Sequence, residues 1–297
     1  PEHLHTGCRL IAFQVHGGQV ISRFERRDTG ETIEVGDVLV GADGIHSAVR
    51  AALYPDEGPP IWNGIMLWRG AGDWPVHVDG RTMVISGGMH AKFVFYPIHA
   101  DPARPDLRLT NWAVMARIGE GGEPPRREDW NRTGRPEDLE PLVRDRFHLD
   151  FVDPLALIRA SGTFYEYPMC DRDPLPRWSF GPVTVLGDAA HPMYPVGSNG
   201  ASQAVLDARA LARHLASGAS IADALTAYDA ERRPMTSEIV LTNRKGGPER
   251  VIDVLEERAP DGFSDLDAIA SHAEREAIVR GYASMSGFAR EQVNRRS

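Results

Sequence analysis

Cysteine and long apolar runs are both scarce in this sequence. Its 297 residues include two cysteines, Cys8 and Cys170, which are too few for a disulfide framework, so we expect a reducing, cytoplasmic location. No apolar run approaches the ~18 residues of a membrane-spanning helix, and the start of the sequence does not resemble a signal peptide. The sequence therefore predicts no membrane partner.

Basic residues are outnumbered by acidic ones. The sequence has 33 lysines and arginines against 42 aspartates and glutamates, which gives a formal net charge of −9 at pH 7. That charge argues against a general affinity for nucleic acid or anionic membranes. The sequence also shows no metal-ligand spacing and no Gly-x-Ser-x-Gly nucleophile motif. We therefore predict neither a metal site nor a nucleic-acid partner.

The most informative stretch of the sequence is residues 183–208. It begins with a β-branched apolar run, residues 183–186, which is typical of a buried strand. Gly187 and Asp188 end this strand, and a loop rich in glycine and proline follows. From Ala201 onwards, apolar residues recur at helical spacing. A strand, a glycine-rich loop and a helix N-terminus in this order favour binding of an anionic or electron-rich ligand.

A second strand, glycine turn and helix is predicted near the start of the chain. Residues 38–40 are apolar and β-branched, and residues 47–53 fit a short helix. Between the two stretches, residues 61–118 are rich in aromatic and β-branched residues that Gly, Pro and Asp turns interrupt. This pattern predicts an antiparallel sheet of about four strands. The chain after Ala201 is predicted to be largely helical.

Three motifs in these stretches are specific enough to indicate a family. They are Gly41-Ala-Asp-Gly-Ile-His-Ser-Ala-Val-Arg50, Val185-Leu-Gly-Asp-Ala-Ala-His-Pro192 and Pro195-Val-Gly-Ser-Asn-Gly-Ala-Ser-Gln-Ala. They resemble the Asp-Gly motif, the Gly-Asp motif and the flavin-proximal helix of single-component FAD-dependent aromatic hydroxylases, a family of flavoprotein monooxygenases. Met66-Leu-Trp-Arg-Gly70 and residues 167–177 further resemble the phenazine-hydroxylase and salicylate-hydroxylase-like branch. The resemblance covers roughly residues 1–245.

The resemblance implies a mixed α/β (α+β) fold. A partial Rossmann-like FAD-binding domain, residues 1–60 and 163–217, is interrupted by an antiparallel-sheet substrate domain, residues 61–162. Helices follow over residues 218–297. An interrupted domain offers a ligand site at the interface with the domain that interrupts it. Apolar stripes on the helices after Ile221 are compatible with a homodimer.

The resemblance also implies an activity and its cofactors. The family hydroxylates small electron-rich aromatic compounds with FAD, O₂ and NADH or NADPH, through a flavin hydroperoxide. Because the cofactor carries the difficult chemistry, we assign no catalytic residue. Two alternatives stay open. One is an oxygenase acting on a non-aromatic substrate, by epoxidation or polyketide hydroxylation. The other is a flavin-free binding protein in which the motifs serve only packing.

The motifs supply the residues expected to contact the cofactor. They are Asp43, Gly44, Arg50, Gly187, Asp188, Gly197, Ser198, Asn199, Gly200 and Ala201. Asp188 is expected to accept a hydrogen bond from a ribityl or ribose hydroxyl. The backbone at Gly200 is expected to approach the flavin, where a helix N-terminus stabilises the reduced ring by roughly 1 kcal/mol. Asp43 is expected to bridge flavin and nicotinamide, and Arg50 to lie near phosphate. Each residue also fits an ordinary turn, cap or surface position.

Candidate substrate contacts come from two parts of the chain. Met193, Tyr194 and Pro195 lie in the loop predicted to cover the flavin, whereas Trp68 and Tyr96 lie in the predicted sheet. Aromatic residues of a sheet more often belong to the hydrophobic core than to a pocket. The histidines inside the motifs, at positions 46 and 191, are expected to be structural.

The sequence departs from the family in one respect. The family begins with a strand and Gly-x-Gly-x-x-Gly, which hold the FAD pyrophosphate, and no such pattern occurs here. At least one βαβ unit of roughly 30 residues is therefore missing from the pattern. We expect these 297 residues alone to purify without bound FAD.

Overall fold

The computed structural model describes residues 3–294. Its strands are β1 (Cys8–His16), β2 (Gln19–Arg26), β3 (Gly30–Gly36), β4 (Leu39–Gly41), β5 (Ile61–Pro75), β6 (Val84–Gly87), β7 (Ala91–His99), β8 (Leu107–Arg117), β9 (Tyr165–Asp171) and β10 (Val183–Val185). Its α-helices are α1 (Ala48–Leu53), α2 (Pro136–Arg146), α3 (Pro154–Ala160), α4 (Gly200–Leu215), α5 (Ile221–Asn243), α6 (Arg250–Arg258), α7 (Leu266–Ile269), α8 (His272–Met285) and α9 (Arg290–Asn294).

The contacts divide the chain into two units. Within the described residues, the first unit combines residues 3–60, 171–250 and 273–294, and the second combines residues 61–170 and 251–272. The sequence had placed all helices after residue 217 in one group. In the structure, α6 and α7 lie almost entirely in the second unit, whereas α5 and most of α8 belong to the first.

The first unit contains two small sheets. Strands β1, β2 and β3 form an antiparallel meander, and β4 pairs in parallel with β10. In the parallel pair Leu39 lies opposite Val183, and Gly41 lies opposite Val185. All three residues of β10 are buried, as the β-branched run predicted. The parallel pairing brings together two segments that are far apart in the sequence.

Gly41 allows close packing of helix α1 on this parallel pair. A Cβ atom at Gly41 would lie 2.7 Å from Cβ of Val49 and 3.1 Å from Cγ1 of Val185. These distances are too short for a side chain, so only glycine fits between the strand and the helix. Val49 and Val185 are both part of the core of this unit, which Leu225 and Tyr228 of α5 complete.

The second unit is built on a five-stranded sheet. Its strand order is β6-β7-β8-β5-β9, with antiparallel pairing between β6 and β7, β7 and β8, and β5 and β8. One face packs against α2 and α3 through a core that includes Trp68, Phe95, Trp112, Leu139 and Leu157. The sequence had assigned residues 163–170 to the FAD-binding domain. Strand β9 instead pairs with β5, which a short strand pattern by itself does not specify.

Candidate active site

The Asp-Gly and Gly-Asp motifs meet at one edge of the parallel sheet. The N–H of Leu186 donates a hydrogen bond of 3.0 Å to the carbonyl of Gly41, which continues the pairing beyond β10. The motif containing Asp43 therefore leaves β4 beside the point where the motif containing Asp188 leaves β10. In open parallel sheets, the crevice at the carboxyl ends of the strands is the usual ligand site.

Asp188 and Gly200 lie close together at this edge. A Cβ atom placed on Gly200 would lie 4.0 Å from Oδ1 of Asp188 and 3.8 Å from Cγ of Met193. Gly187 precedes Asp188 with φ +57°, a left-handed conformation that favours glycine. The tight turn that follows β10 thus directs the Asp188 carboxylate towards the start of α4.

The Asp188 carboxylate is available to a ligand. The residue is exposed, and within residues 3–294 its carboxylate accepts no hydrogen bond. Desolvation by the surrounding protein atoms nevertheless raises the pKa of Asp188, an effect that the nearby His191 partly offsets. A hydroxyl donor would therefore replace hydration that the carboxylate has already partly lost.

The N-terminus of α4 is open to a ligand. Asn199 is the N-cap residue, but its side chain does not cap the helix. Its amide instead donates to the carbonyl of Gly197 at 3.2 Å and to the hydroxyl of Tyr282 at 3.0 Å. The N–H groups of the first helical turn have no intrahelical acceptor, so they can bind an anionic or electron-rich group. Ala201, in this first turn, is exposed.

The loop before α4 has an unusual backbone conformation. Gly197 has φ +72° and the exposed residue Ser198 has φ +54°, so both lie in the left-handed region. For a residue with a side chain, such as Ser198, this region costs free energy and needs support from its surroundings. The loop therefore depends on contacts with other elements.

Asp207 is a buried residue of the site that the sequence analysis did not identify as functional. It accepts hydrogen bonds from the Gly187 N–H at 3.0 Å, from Nε2 of His191 at 2.5 Å and from Nε of Arg232 at 2.7 Å. Burial alone raises its pKa, but the bonds from His191, Arg232 and Gly187 outweigh burial and lower the pKa of Asp207 below its ordinary value. His191 is thus engaged in a structural contact.

Arg50 is not placed to contact a phosphate. Its side chain is 1% exposed. It pairs with Glu57 and donates to the carbonyls of Ala190 at 2.9 Å and Asp173 at 2.9 Å. A third carbonyl, that of Ala189, lies at 3.2 Å. The structure therefore shows a supporting role instead of the predicted phosphate contact. Arg50 stabilises the segment after Asp188 by donating hydrogen bonds to its backbone carbonyls.

Asp43 caps helix α1. Its carboxylate accepts hydrogen bonds from Oγ of Ser47 at 2.5 Å and from the N–H groups of Ala48 at 2.7 Å and Val49 at 3.4 Å. Gly44 takes φ +79° in the turn between them. Asp43 is nevertheless exposed. Its predicted contact with flavin or nicotinamide therefore stays a prediction beside an observed capping role.

The loop residues proposed for substrate binding differ in exposure. Pro195 is exposed, Met193 is half-buried beside Gly200, and Tyr194 is 5% exposed. The Tyr194 hydroxyl bonds the carboxylate of Asp171. Tyr194 therefore supports the loop, and Met193 and Pro195 are the residues that offer surface to a ligand.

Trp68 and Tyr96 lie on opposite faces of the five-stranded sheet. Trp68 is 3% exposed in the core, and its indole N–H donates to Oε2 of Glu166 at 3.0 Å. Tyr96 follows the core residue Phe95, and successive side chains of a strand alternate between faces. Trp68 is therefore a core aromatic residue, and we remove it from the candidate substrate contacts. Tyr96 is half-buried on the other face and stays a candidate.

Two classes of site find no support in residues 3–294. No group of three or more His, Cys, Asp or Glu side chains there is arranged to hold a metal ion. Over the same residues, none of the helices has the length and apolar character needed to cross a membrane.

Comparison with known proteins connects these features to flavoenzymes. A family described as "FAD binding domain" matches residues 126–242. The phenazine 1,6-dicarboxylic acid hydroxylase PhzS of Lysobacter antibioticus is 40% identical over 274 residues, which cover 91% of this chain and 63% of that protein. The 3-hydroxybenzoate 6-hydroxylase 1 of Aquipseudomonas alcaligenes is 31% identical over 216 residues, 70% of this chain and 50% of that protein. The chain thus spans between half and two thirds of these relatives.

Solved structures share the fold. HpxO of Klebsiella pneumoniae, crystallised with FAD and uric acid, matches with a TM-score of 0.69 at 21% identity, over 96% of this chain and 67% of that one. A salicylate hydroxylase in complex with its substrate matches with a TM-score of 0.66 at 20% identity, over 94% of this chain and 70% of that one. The mixed α/β fold class expected from the sequence is confirmed.

Proposed function

Because this chain belongs to the family of FAD-dependent aromatic hydroxylases, we propose that it binds FAD and serves the hydroxylation of a small, electron-rich aromatic compound. The co-substrates are O₂ and NADH or NADPH. The observation that carries the proposal is the position of the exposed Asp188 carboxylate beside Gly200, at the uncapped N-terminus of α4. A cytoplasmic location and a homodimer stay predictions from the sequence.

The residues at this edge fit part of a flavin. Gly200 leaves an open space next to Asp188, into which a larger side chain would project. Asp188 offers an acceptor for a ribityl or ribose hydroxyl, and the first turn of α4 offers N–H donors to the pyrimidine edge of the ring. These are two different kinds of contact, and the flavin carries matching groups for both.

These contacts assign different roles to the cofactor and to the protein. When bound, FAD supplies the redox chemistry, since it takes a hydride from NADH or NADPH and in its reduced form activates O₂. The chain orients the cofactor through Asp188 and stabilises negative charge on the ring through the α4 N-terminus. Met193 borders the space beside Gly200, where it would limit the access of water to the ring, and the exposed Pro195 of the same loop would contact the substrate.

The names of the relatives suggest which substrates to test first. The two relatives are named for a phenazine dicarboxylic acid and a hydroxybenzoate, which are both aromatic carboxylic acids. We propose this class for the present chain. Oxidation of NADH or NADPH that depends on such an acid, with formation of its hydroxylated product, supports an aromatic hydroxylase. Activity confined to alkenes or polyketides favours the alternative oxygenase.

Substitution of Asp188 tests the cofactor site. Loss of a hydrogen bond to a charged group costs about 1.5–3 kcal/mol, which corresponds to a roughly 10- to 100-fold weaker affinity. We therefore expect Asp188→Ala to raise the Kd for FAD by that factor in a fluorescence titration.

Asp56→Ala is the matched control. Asp56 is an exposed aspartate of the same unit, and its replacement should leave the Kd within twofold. Equal FAD affinity in Asp188→Ala and wild type contradicts the assignment. Purification without bound FAD is the expected result for these 297 residues, so binding of added FAD is what decides. A wild-type chain that shows no binding of added FAD in the titration contradicts the proposed function and favours a flavin-free binding protein.

A further inference from the structure

The loop between Tyr194 and Asn199 is held at both ends by one chain of hydrogen bonds. Nδ2 of Asn243 donates to the carbonyl of Tyr194 at 3.1 Å. The Tyr282 hydroxyl donates to Oδ1 of Asn243 at 2.8 Å and accepts from Nδ2 of Asn199 at 3.0 Å. The end of α5 and the last turn of α8 thus connect the beginning of the loop to its end.

The ring of Tyr282 also restricts the loop by direct packing. A Cβ atom at Gly197 would lie 2.8 Å from Cε1 and from the hydroxyl oxygen of Tyr282. The same ring lies 3.4 Å from the corresponding position at Gly247. Tyr282 is therefore wedged between two glycines, one in the loop and one after α5.

A second contact ties α8 to the first turns of α4. Nε2 of Gln203 donates to the carbonyl of Ser286 at 3.0 Å, and Gln203 is fully buried. Gln203 lies one turn after Gly200, so the helix start is fixed from the side opposite to its exposed face. The C-terminal segment therefore contacts both the loop and the helix that follows it.

These contacts are sheltered from water. Asn199, Asn243 and Tyr282 are 6%, 2% and 7% exposed, respectively. A hydrogen bond in such surroundings is costly to lose, because no solvent replaces the missing partner. The left-handed Ser198 lies within the connected loop, where a backbone of raised free energy requires this kind of support.

We propose that Tyr282 is a positioning residue of the cofactor site. By connecting Asn199 to Asn243, it fixes the loop and presents the N-terminal turn of α4 to the flavin. The identity of the ligand rests on the proposed function, whereas the bracing of the loop does not. Tyr282 acts through the two asparagines and does not touch a reacting atom.

Tyr282→Phe separates hydrogen bonding from packing, since it keeps the ring against Gly197 and removes only the hydroxyl. Amide hydrogen exchange over residues 194–203 is measured without FAD, and the Kd for FAD is then measured by titration. We expect loop exchange to accelerate about tenfold and the Kd to rise about tenfold, as the loss of one or two buried hydrogen bonds implies.

Tyr228→Phe is the matched control. Tyr228 is a buried tyrosine of the same unit whose hydroxyl donates to the carbonyl of Val185 at 3.1 Å, away from the loop. It should lower the melting temperature and leave exchange over residues 194–203 and the Kd within twofold. Asn199→Ala cuts the same chain of bonds at another point, and it should accelerate loop exchange even if Tyr282→Phe does not fold.

The outcomes separate the two proposals. Unchanged loop exchange in folded Tyr282→Phe, or equal effects of Tyr282→Phe and Tyr228→Phe on exchange and Kd, overturns the positioning role. If loop exchange is faster in Tyr282→Phe than in wild type, and the wild type does not bind added FAD, the result supports the positioning of the loop by Tyr282 and contradicts the proposed cofactor. Faster exchange together with a raised Kd and an altered absorbance spectrum of the bound flavin supports both.

Discussion

Replacement of Asp207 by alanine removes the residue that connects the Gly-Asp turn to two helices. In the native chain, the Asp207 carboxylate accepts hydrogen bonds from the Gly187 N–H of the turn, from Arg232 of α5 and from His191. Alanine leaves all three donors in a buried space. The largest consequence concerns Arg232, whose side chain is 6% exposed and which keeps Gln203 as an acceptor at 2.6 Å.

The expected loss of stability is large. Removing one partner from a buried ion pair costs roughly 3–5 kcal/mol, because the other charge stays buried without compensation. For a protein of this size class, each kcal/mol shifts the melting temperature by about 2–4 °C. Asp207→Ala should therefore lower the melting temperature by roughly 6–20 °C.

The pH dependence of Asp207→Asn gives an independent check. The pKa of Asp207 is lowered in the folded state, so the ionised carboxylate stabilises the fold at pH values above its unfolded pKa. That stabilisation is lost as the pH falls through the lowered, folded pKa. The difference in unfolding free energy between wild type and Asp207→Asn should be full at pH 7 and should shrink below about pH 4.

Urea denaturation at several pH values measures both effects. Glu231→Gln is the control, because Glu231 pairs with Arg213 and also bridges α4 and α5, but both side chains are exposed. Exposed pairs contribute about 0–1 kcal/mol. A loss below about 1 kcal/mol in Asp207→Ala, or a difference that grows in acid for Asp207→Asn, refutes the reasoning.

Three further substitutions test single positions in the two units. Gly200→Val should keep the melting temperature, because a Cβ atom there has ordinary contacts, and should weaken FAD binding more than tenfold in a titration. The contrasting Gly41→Ala should destabilise the unit, since its Cβ would clash with Val49. In the second unit, Glu256→Ala removes the acceptor of the Met89 N–H at 2.6 Å and should cost about 1 kcal/mol in urea denaturation.

The local elements around the motifs were predictable from sequence because their signals are local. The β-branched run before Gly187 predicts a buried strand, and the helical spacing after Ala201 predicts α4, and both are observed. Strand β9 could not be assigned to its sheet in the same way. Seven residues of strand pattern do not specify a partner, and the pairing with β5 is a property of the tertiary structure.

The role of Arg50 shows why a motif does not determine a contact. Its position one turn after the cap of α1 fits a phosphate ligand and a buried support equally well. The acceptors that decide between them are Glu57 and three backbone carbonyls, of which those of Ala189 and Ala190 lie in the other motif. Only the folded chain brings these carbonyls to the guanidinium.

Tyr282 and Asn243 lacked any sequence signal of this kind. A tyrosine in an ordinary amphipathic helix is most economically interpreted as core, and its partners are distant in the sequence. Asn243 is the last residue of α5, where a polar residue is common. The one sequence feature that could have indicated a role for Asn243 is a polar residue at a position of the helix end expected to be buried, because a buried polar group needs a hydrogen-bond partner.

The parallel pairing of β4 and β10 explains how two motifs that are far apart in the sequence reach the same edge of the sheet. The register places Gly41, the last residue of β4, opposite Val185, the last residue of β10. Both strands therefore end at the same edge of the sheet. On one side, Asp43 accepts hydrogen bonds from the start of α1, and on the other, the Asp188 carboxylate accepts no hydrogen bond within the described chain. The two aspartates are therefore not equivalent. The Asp43 carboxylate is engaged in capping α1, and the Asp188 carboxylate is the one that we propose accepts a hydrogen bond from a flavin hydroxyl.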